Sequence, residues 1–190
     1  MRILALDMSL NNSGVARLVD VVAGQPVWEV ETVVVPPLRV PGVRPGTEKN
    51  SPRIGAARLL FWYRWIEDEI RATEPGVIMM EAPAINGSGR VFDMGEAYGV
   101  IKLQAHCVDV PVYLVAPTSL KKYATGHGEC DKQRMIDSAV AESGEQVRDE
   151  HQADAFWLGR IGWDLVGGGS ADTAHRKSVI ANLHRKGSST

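Results

Sequence analysis

The stretch Ile3-Leu4-Ala5-Leu6-Asp7-Met8-Ser9-Leu10-Asn11-Asn12-Ser13-Gly14-Val15-Ala16 decides the fold. Ile3 to Leu6 is apolar at every position, the pattern of a strand covered on both faces, and Ser9 to Gly14 supplies turn residues after it. Val15 to Val22 and Val27 to Val35 are two further β-rich runs separated by Ala23-Gly24-Gln25-Pro26. The chain therefore opens as three antiparallel strands. Side chains alternate along a strand, so Ile3, Ala5 and Asp7 share one side, and the buried row ends on a carboxylate.

Beyond this sheet, residues 36–52 read PPLRVPGVRPGTEKNSP, a loop without a core of its own. Leu59, Trp62, Ile66 and Ile70 recur at helical spacing and predict a helix over Arg53 to Ala72, stopped by Glu74-Pro75-Gly76. Val77 to Glu81 and Pro111 to Ala116 read as buried strands, with a small-residue loop over Ala82 to Arg90 and a helix over Val91 to Val108 between them. Asp131 to Ser143 and Glu150 to Val166 read as helices. Gly167-Gly168-Gly169-Ser170 separates them from a basic segment. Strands first, then strand and helix in alternation, predict an α/β protein with a sheet of mixed order.

The chain has 190 residues, 44% hydrophobic and 23% charged, which fits one soluble globular domain with a tail. No apolar run approaches the ~20 residues that span a bilayer, and no signal segment opens the chain, so a cytoplasmic protein without membrane contact is expected. Cys107 and Cys130 have neither disulfide-framework nor metal-ligand spacing and read as ordinary thiols. Net charge is −2, but Arg176, Lys177, Arg185 and Lys186 against Asp172 give the last twenty residues +3 and leave −5 on the rest. Overall balance thus argues mildly against a polyanion partner. Locally, Arg39, Arg44, Lys49, Arg53, Arg58, Arg64 and Arg71 outnumber Glu48, Glu67, Asp68 and Glu69. That segment either faces phosphates or is a solvated helix and loop.

An ionised Asp7 at the end of a buried row must be hydrogen-bonded, paired or metal-bound, and capping the next turn is the plain alternative. Glu81 repeats the arrangement at the C-terminal edge of its own buried strand, where open α/β sheets place their sites. His151 and Asp154, three apart on a predicted helix, share a face among Ala153, Ala155, Phe156 and Leu158. Three acids and an imidazole on three elements suit a divalent metal.

At these residues the chain resembles the RuvC-type Holliday junction resolvases of the ribonuclease H-like superfamily, over roughly residues 1–166 and in order. ILALDMSLNNSGVA is similar to the family's first strand and turn, VIMMEAP to the strand with its catalytic Glu, YLVAPTSLKKYATGHGECDKQRM to its proline, lysine and glycine segment, and HQADAFWLG to its last motif. The resemblance implies a ribonuclease H-like mixed five-stranded sheet with helices on both faces, and a nuclease domain over 1–166 followed by a basic tail or extra helix over 167–190. It implies a catalytic and metal-binding quartet of Asp7, Glu81, His151 and Asp154, two Mg²⁺ or Mn²⁺ ions per site, and DNA contacts from Lys121, Lys122 and Lys132, with Lys121 favoured over its neighbour by its spacing to Lys132. The implied activity is paired nicking of four-way junctions and other branched DNA by a homodimer meeting through the Val91 to Val108 helix, including parts of Tyr98, Ile101 and Leu103.

Two departures stand out. Where bacterial relatives carry an aromatic residue three positions after the Glu, this chain has Ala84, leaving strand separation to the Gly87-Ser88-Gly89 loop or to Phe92, for which a core position is the plainer expectation. The segments 36–52 and 167–190 look like additions, a variation more typical of phage-encoded relatives. A ribonuclease H acting on RNA–DNA hybrids and a non-catalytic DNA-binding module are the rival readings, beside a sugar-kinase-like ATPase, which would need a second phosphate-binding glycine motif and a much longer chain. The second gains nothing from clustered carboxylates.

Overall fold

The computed structural model describes residues 1–38, 52–83, 91–144 and 147–187. Most of the Pro-rich 36–52 segment, with Arg39, Arg44 and Lys49, lies outside the described residues, as do Ala84 and the Gly87-Ser88-Gly89 loop. In chain order the elements are β1 (Ile3–Asp7), β2 (Asn12–Val22), β3 (Gln25–Val34), α1 (Pro52–Thr73), β4 (Val77–Glu81), α2 (Val91–Cys107), β5 (Val112–Val115), α3 (Pro117–Thr125), α4 (Lys132–Ser143), α5 (Glu150–Leu165) and α6 (Ala174–Gly187). The five strands form one sheet in the order β3-β2-β1-β4-β5. β1, β2 and β3 pair antiparallel, whereas β4 lies parallel to both β1 and β5. This is the mixed sheet read from the sequence.

Strand alternation divides the core into two layers. Ile3 and Ala5 of β1, with Val77 and Met79 of β4, meet α5 and the helices beside it, where Phe156, Trp157, Leu158 and Ile161 are buried. Leu4, Leu6, Ile78 and Met80 point the other way, against Trp62 and Ile66 of α1 and Ala97, Tyr98, Ile101 and Ala105 of α2. Central strands covered on both faces must be apolar throughout, which is why β1 and β4 carry no polar residue before their last one. That last residue, Asp7 or Glu81, falls in the α5 row by the same period of two.

α5 is buried nearly all along its length. Its glycines let it lie close: a β-carbon on Gly159 would stand 2.7 Å from the Trp28 ring, and one on Gly162 would stand 2.7 Å from Met79. α6 covers the outer flank through Val179, Ile180 and Leu183. The Arg176 guanidinium anchors it, 5.1 Å from the centroids of both Tyr123 and Trp157.

One helix is added to the sequence reading and two expectations are corrected. Residues 117–125 form α3, a helix hidden from the periodicity reading by Pro117 at its start and by its length of only nine residues. Phe92 is 85% exposed and is not core. Tyr98 and Ile101 are buried against the protein's own sheet and α1, so of the three α2 residues assigned to a dimer contact only Leu103 is free to make one. Among the described residues no helix is long and apolar enough to cross a membrane.

Gly159→Ala should lower the melting temperature despite alanine's better helix propensity, because overpacking against a rigid indole costs about 1–3 kcal/mol. Gly55→Ala in α1, where an added β-carbon meets nothing within 4 Å, should raise it or leave it unchanged. Thermal melts of the pair separate packing from propensity.

Candidate active site

One row of residues crosses the sheet at its C-terminal edge. Thr32 of β3 is in register with Gly14 of β2, and Gly14 with Asp7 of β1. Leu6 is in register with Met80, which places Glu81 of β4 next along the row beside Asp7. The first turn of α5 is laid across it, and Thr32, Gly14 and Asp7 each hold that turn in a different way.

Asp149 caps α5 by accepting from the Gln152 backbone N–H at 2.8 Å. The Thr32 hydroxyl donates to Asp149 Oδ2 at 2.6 Å and accepts from Gln152 Nε2 at 3.2 Å, which ties the cap to β3. At Gly14 the approach is closer still: a β-carbon there would stand 1.8 Å from the His151 carbonyl oxygen. Only glycine allows it. Gly14 reads in the sequence as a turn residue, yet it lies inside β2, and glycine within a strand is the available signal for close backbone approach.

The helix start so fixed brings His151 over β1. His151 Nδ1 lies 2.7 Å from Asp7 Oδ2, and since a carboxylate accepts, the imidazole carries a proton on Nδ1 and donates. This bond raises the His151 pKa, against its partial burial. Asp7 is 7% exposed, the buried acid at the end of an apolar row that the sequence led us to expect.

Glu81 and Asp154 complete the group. Burial, then the charges of Asp7 and Asp154, push Glu81 up to about 8, with Lys121 opposing. Burial, then Asp7 and Glu150, push Asp154 up to about 7, opposed by His151 and Lys121. Three carboxylates thus crowd one spot, and the proton affinities of Glu81 and Asp154 rise there. Tyr98 of α2 reaches the same place from the opposite layer, its hydroxyl donating to the Glu81 carbonyl at 2.7 Å. No sequence pattern assigned Tyr98, Thr32 or Asp149 to this site, because each acts through the backbone or a cap.

The three lysines separate. Lys121 of α3 is close enough for its charge to act on both Glu81 and Asp154. Lys122, its exposed neighbour, is not among the charges acting on either acid. Lys132 opens α4, is 77% exposed at its side chain and pairs with Glu150 Oε2 at 2.5 Å. That bond raises its pKa, with smaller contributions from Asp154 and Asp7. Of the arginine-rich segment, Arg71 pairs with Glu67 and Asp68 along its own helix, as on a solvated face.

The donors suit a hard divalent cation: oxygen and imidazole ligands whose carboxylates gain from a nearby positive charge. No three His, Cys, Asp or Glu among the described residues form a ready-made metal cage. Asp7 and His151 instead satisfy each other directly.

No family model matches the chain. The curated crossover junction endodeoxyribonuclease RuvC of Synechococcus sp. (strain WH7803) is 25% identical over 116 residues, covering 60% of this chain and 75% of that protein. Thermus thermophilus RuvC superposes with a TM-score of 0.65 at 17% identity over 97% of both chains. Its complex with a Holliday junction substrate gives the same score, over 99% of this chain and 96% of that one. The yeast mitochondrial Holliday junction resolvase Ydc2 gives 0.54 at 10% identity, over 98% and 83%.

Raised carboxyl pKa values cost folded-state stability as pH rises. Glu81 and Asp154 bind protons more tightly folded than unfolded, so their favourable contribution is present near pH 4 and is lost through about pH 7 to 8. In chelator, Glu81→Gln should melt above the parent at pH 8, by about 2–4 °C for each kcal/mol relieved, and the gap should narrow toward pH 5. Mg²⁺ or Mn²⁺ should raise the parent's melting temperature at pH 8 more than the variant's. A pH-independent gap in calorimetry would contradict the assignment.

The chain thus resembles the RuvC-type resolvases in sequence, and its architecture is their ribonuclease H-like fold.

Proposed function

We propose that this protein is a divalent-metal-dependent endodeoxyribonuclease that resolves four-way DNA junctions by paired nicks. The carrying observation is the gathering of Asp7, Glu81, His151 and Asp154 at one sheet edge under the start of α5, on the fold of RuvC. The RuvC name of the curated relative and the junction substrate bound to the Thermus thermophilus enzyme support the same reading. The catalytic unit is residues 1–166, with 167–190 as a basic extension.

Asp7, Glu81 and Asp154 would hold two Mg²⁺ or Mn²⁺ ions, with His151 as ligand or orienting group. Such ions, when bound, supply the charge that activates an attacking water and stabilises a leaving oxygen. The chain's own residues prepare the place. Burial and crowding raise the proton affinity of Glu81 and Asp154, which positive charge would lower, and the Asp7 bond holds the imidazole by Nδ1 and leaves Nε2 facing away from that bond. Lys121 and Lys132, and Lys122 beside them, offer positive charge to the phosphate backbone, which positions DNA without reading sequence.

A labelled four-way junction should be nicked in Mg²⁺ and left intact in chelator, while an RNA–DNA duplex of equal length is cut far more slowly. Asp7→Asn should abolish cleavage and retain junction binding within a few-fold, since it removes metal-holding charge and no phosphate contact. Retained nicking, or preference for the hybrid, would refute the reading.

A junction has two-fold symmetry, and two nicks on opposite sides require two related sites, which a C₂ homodimer supplies. The outward side of α2 offers the surface. Phe92 and Leu103 are 85% and 58% exposed, and β-carbons added at Gly95 and Gly99 between them would meet nothing. These four recur at spacings of three and four on one helical face. Sedimentation of the protein should give a dimer, and Leu103→Glu a monomer with an unchanged melting profile. A monomer that still makes paired nicks would defeat the assignment.

A further inference from the structure

Lys132 and Glu150 belong to different helices, and both open their helix: Lys132 follows the Asp131 cap of α4, and Glu150 follows the Asp149 cap of α5. Each cap spends its carboxylate on its own helix, Asp131 accepting from the Arg134 N–H and Asp149 from the Gln152 N–H. The two helix starts therefore lie side by side with one cation and one anion left to face solvent, and these two meet at 2.5 Å. The Lys132 side chain is 77% exposed and that of Glu150 38%. An exposed pair of this kind is worth little, typically under about 1 kcal/mol, so it forms in the free protein and breaks readily.

Glu150 is also tied to the acidic site. Its charge adds to those that raise both Asp154 and His151. Phosphate approaching the site therefore meets a carboxylate that holds an exposed lysine and adds its own repulsion.

We propose that Glu150 is a positioning residue for DNA: it occupies Lys132 in the free protein and is exchanged for a backbone phosphate when DNA docks. The inference rests on the DNA-cleaving reading and adds the residue that sets how readily Lys132 becomes available. Breaking the pair costs part of each binding event. A phosphate that reaches Lys132 only in passing gains little from the exchange, whereas one held there by a full set of neighbouring contacts gains the charge-assisted bond.

Binding to a labelled immobile four-way junction, measured in chelator across a salt series, tests this without cleavage. Glu150→Gln keeps the side chain's size and should tighten binding by about three- to fivefold, the scale of an exposed ion pair. Lys132→Ala should weaken binding and make the salt slope less negative by about one. In the Lys132→Ala background, Glu150→Gln should lose most of its gain, since there is no lysine left to release. An equal gain in both backgrounds means that Glu150 acts as diffuse charge and overturns the exchange; so does no gain. If the parent protein binds the junction no better than a linear duplex of equal length, the junction-resolving reading fails instead. Melting curves of each variant confirm that the comparison is between folded proteins.

Discussion

The carbonyl of His151 stands where a β-carbon of residue 14 would be, 1.8 Å away, and the site is organised around that approach. A helix normally packs on a sheet with side chains of both filling the space between them. Here the first turn of α5 touches backbone directly, so His151 meets Asp7 at hydrogen-bond distance and Asp154 follows one turn later over the same strand ends. Any side chain at position 14 would lift the turn and part the imidazole from the aspartate. Thr32 on the far side of Gly14 then fixes the turn's rotation through the Asp149 cap.

Electrostatics makes this arrangement costly, and the cost is informative. A fold selected for stability alone would not place three carboxylates where burial and mutual repulsion push two of them to about 7 and about 8. Such an unfavourable cluster persists where it has a task, and perturbed carboxyls in a cleft mark functional sites on that ground. Elsewhere the protein compensates its charges: Arg17, largely buried, bonds Glu69 and Glu31 at once, and Arg160 and Arg176 share Glu142. Glu81 and Asp154 are compensated less fully. Lys121 and His151 offset only part of their charge.

What the sequence made legible follows the same division. The apolar runs ending in Asp7 and Glu81 gave both the strands and the side on which their acids emerge, because alternation is strict and both faces are covered. The i, i+3 spacing of His151 and Asp154 likewise survived intact. What stayed hidden acts through backbone or through distance in sequence: Gly14 passed for a turn glycine, and Thr32 and Asp149 are 117 positions apart. α3 was invisible because nine residues beginning at a proline show too little periodicity to read. Phe92 looked like core because single apolar residues carry no direction until a helix phase is known, and the phase that buries Ala97, Tyr98, Ile101 and Ala105 turns Phe92 outward.

The two faces of the sheet do different work at the same edge. The α5 layer brings functional side chains to Asp7 and Glu81. From the other layer, α2 reaches only backbone, its Tyr98 hydroxyl bonding the Glu81 carbonyl where β4 ends. That bond lies where strand pairing is running out: the Ala82 N–H donates to Val115, and a short way further the chain leaves the sheet. Tyr98 thus anchors the backbone of Glu81 at the last residue of its strand. Tyr98 is 6% exposed, and burial and the Glu81 charge keep its hydroxyl protonated far above neutral pH, so it donates whatever the state of the carboxyl beside it. The position of Glu81 is thereby separated from its protonation. A carboxyl whose proton occupancy changes near neutral pH therefore keeps its address when it does so.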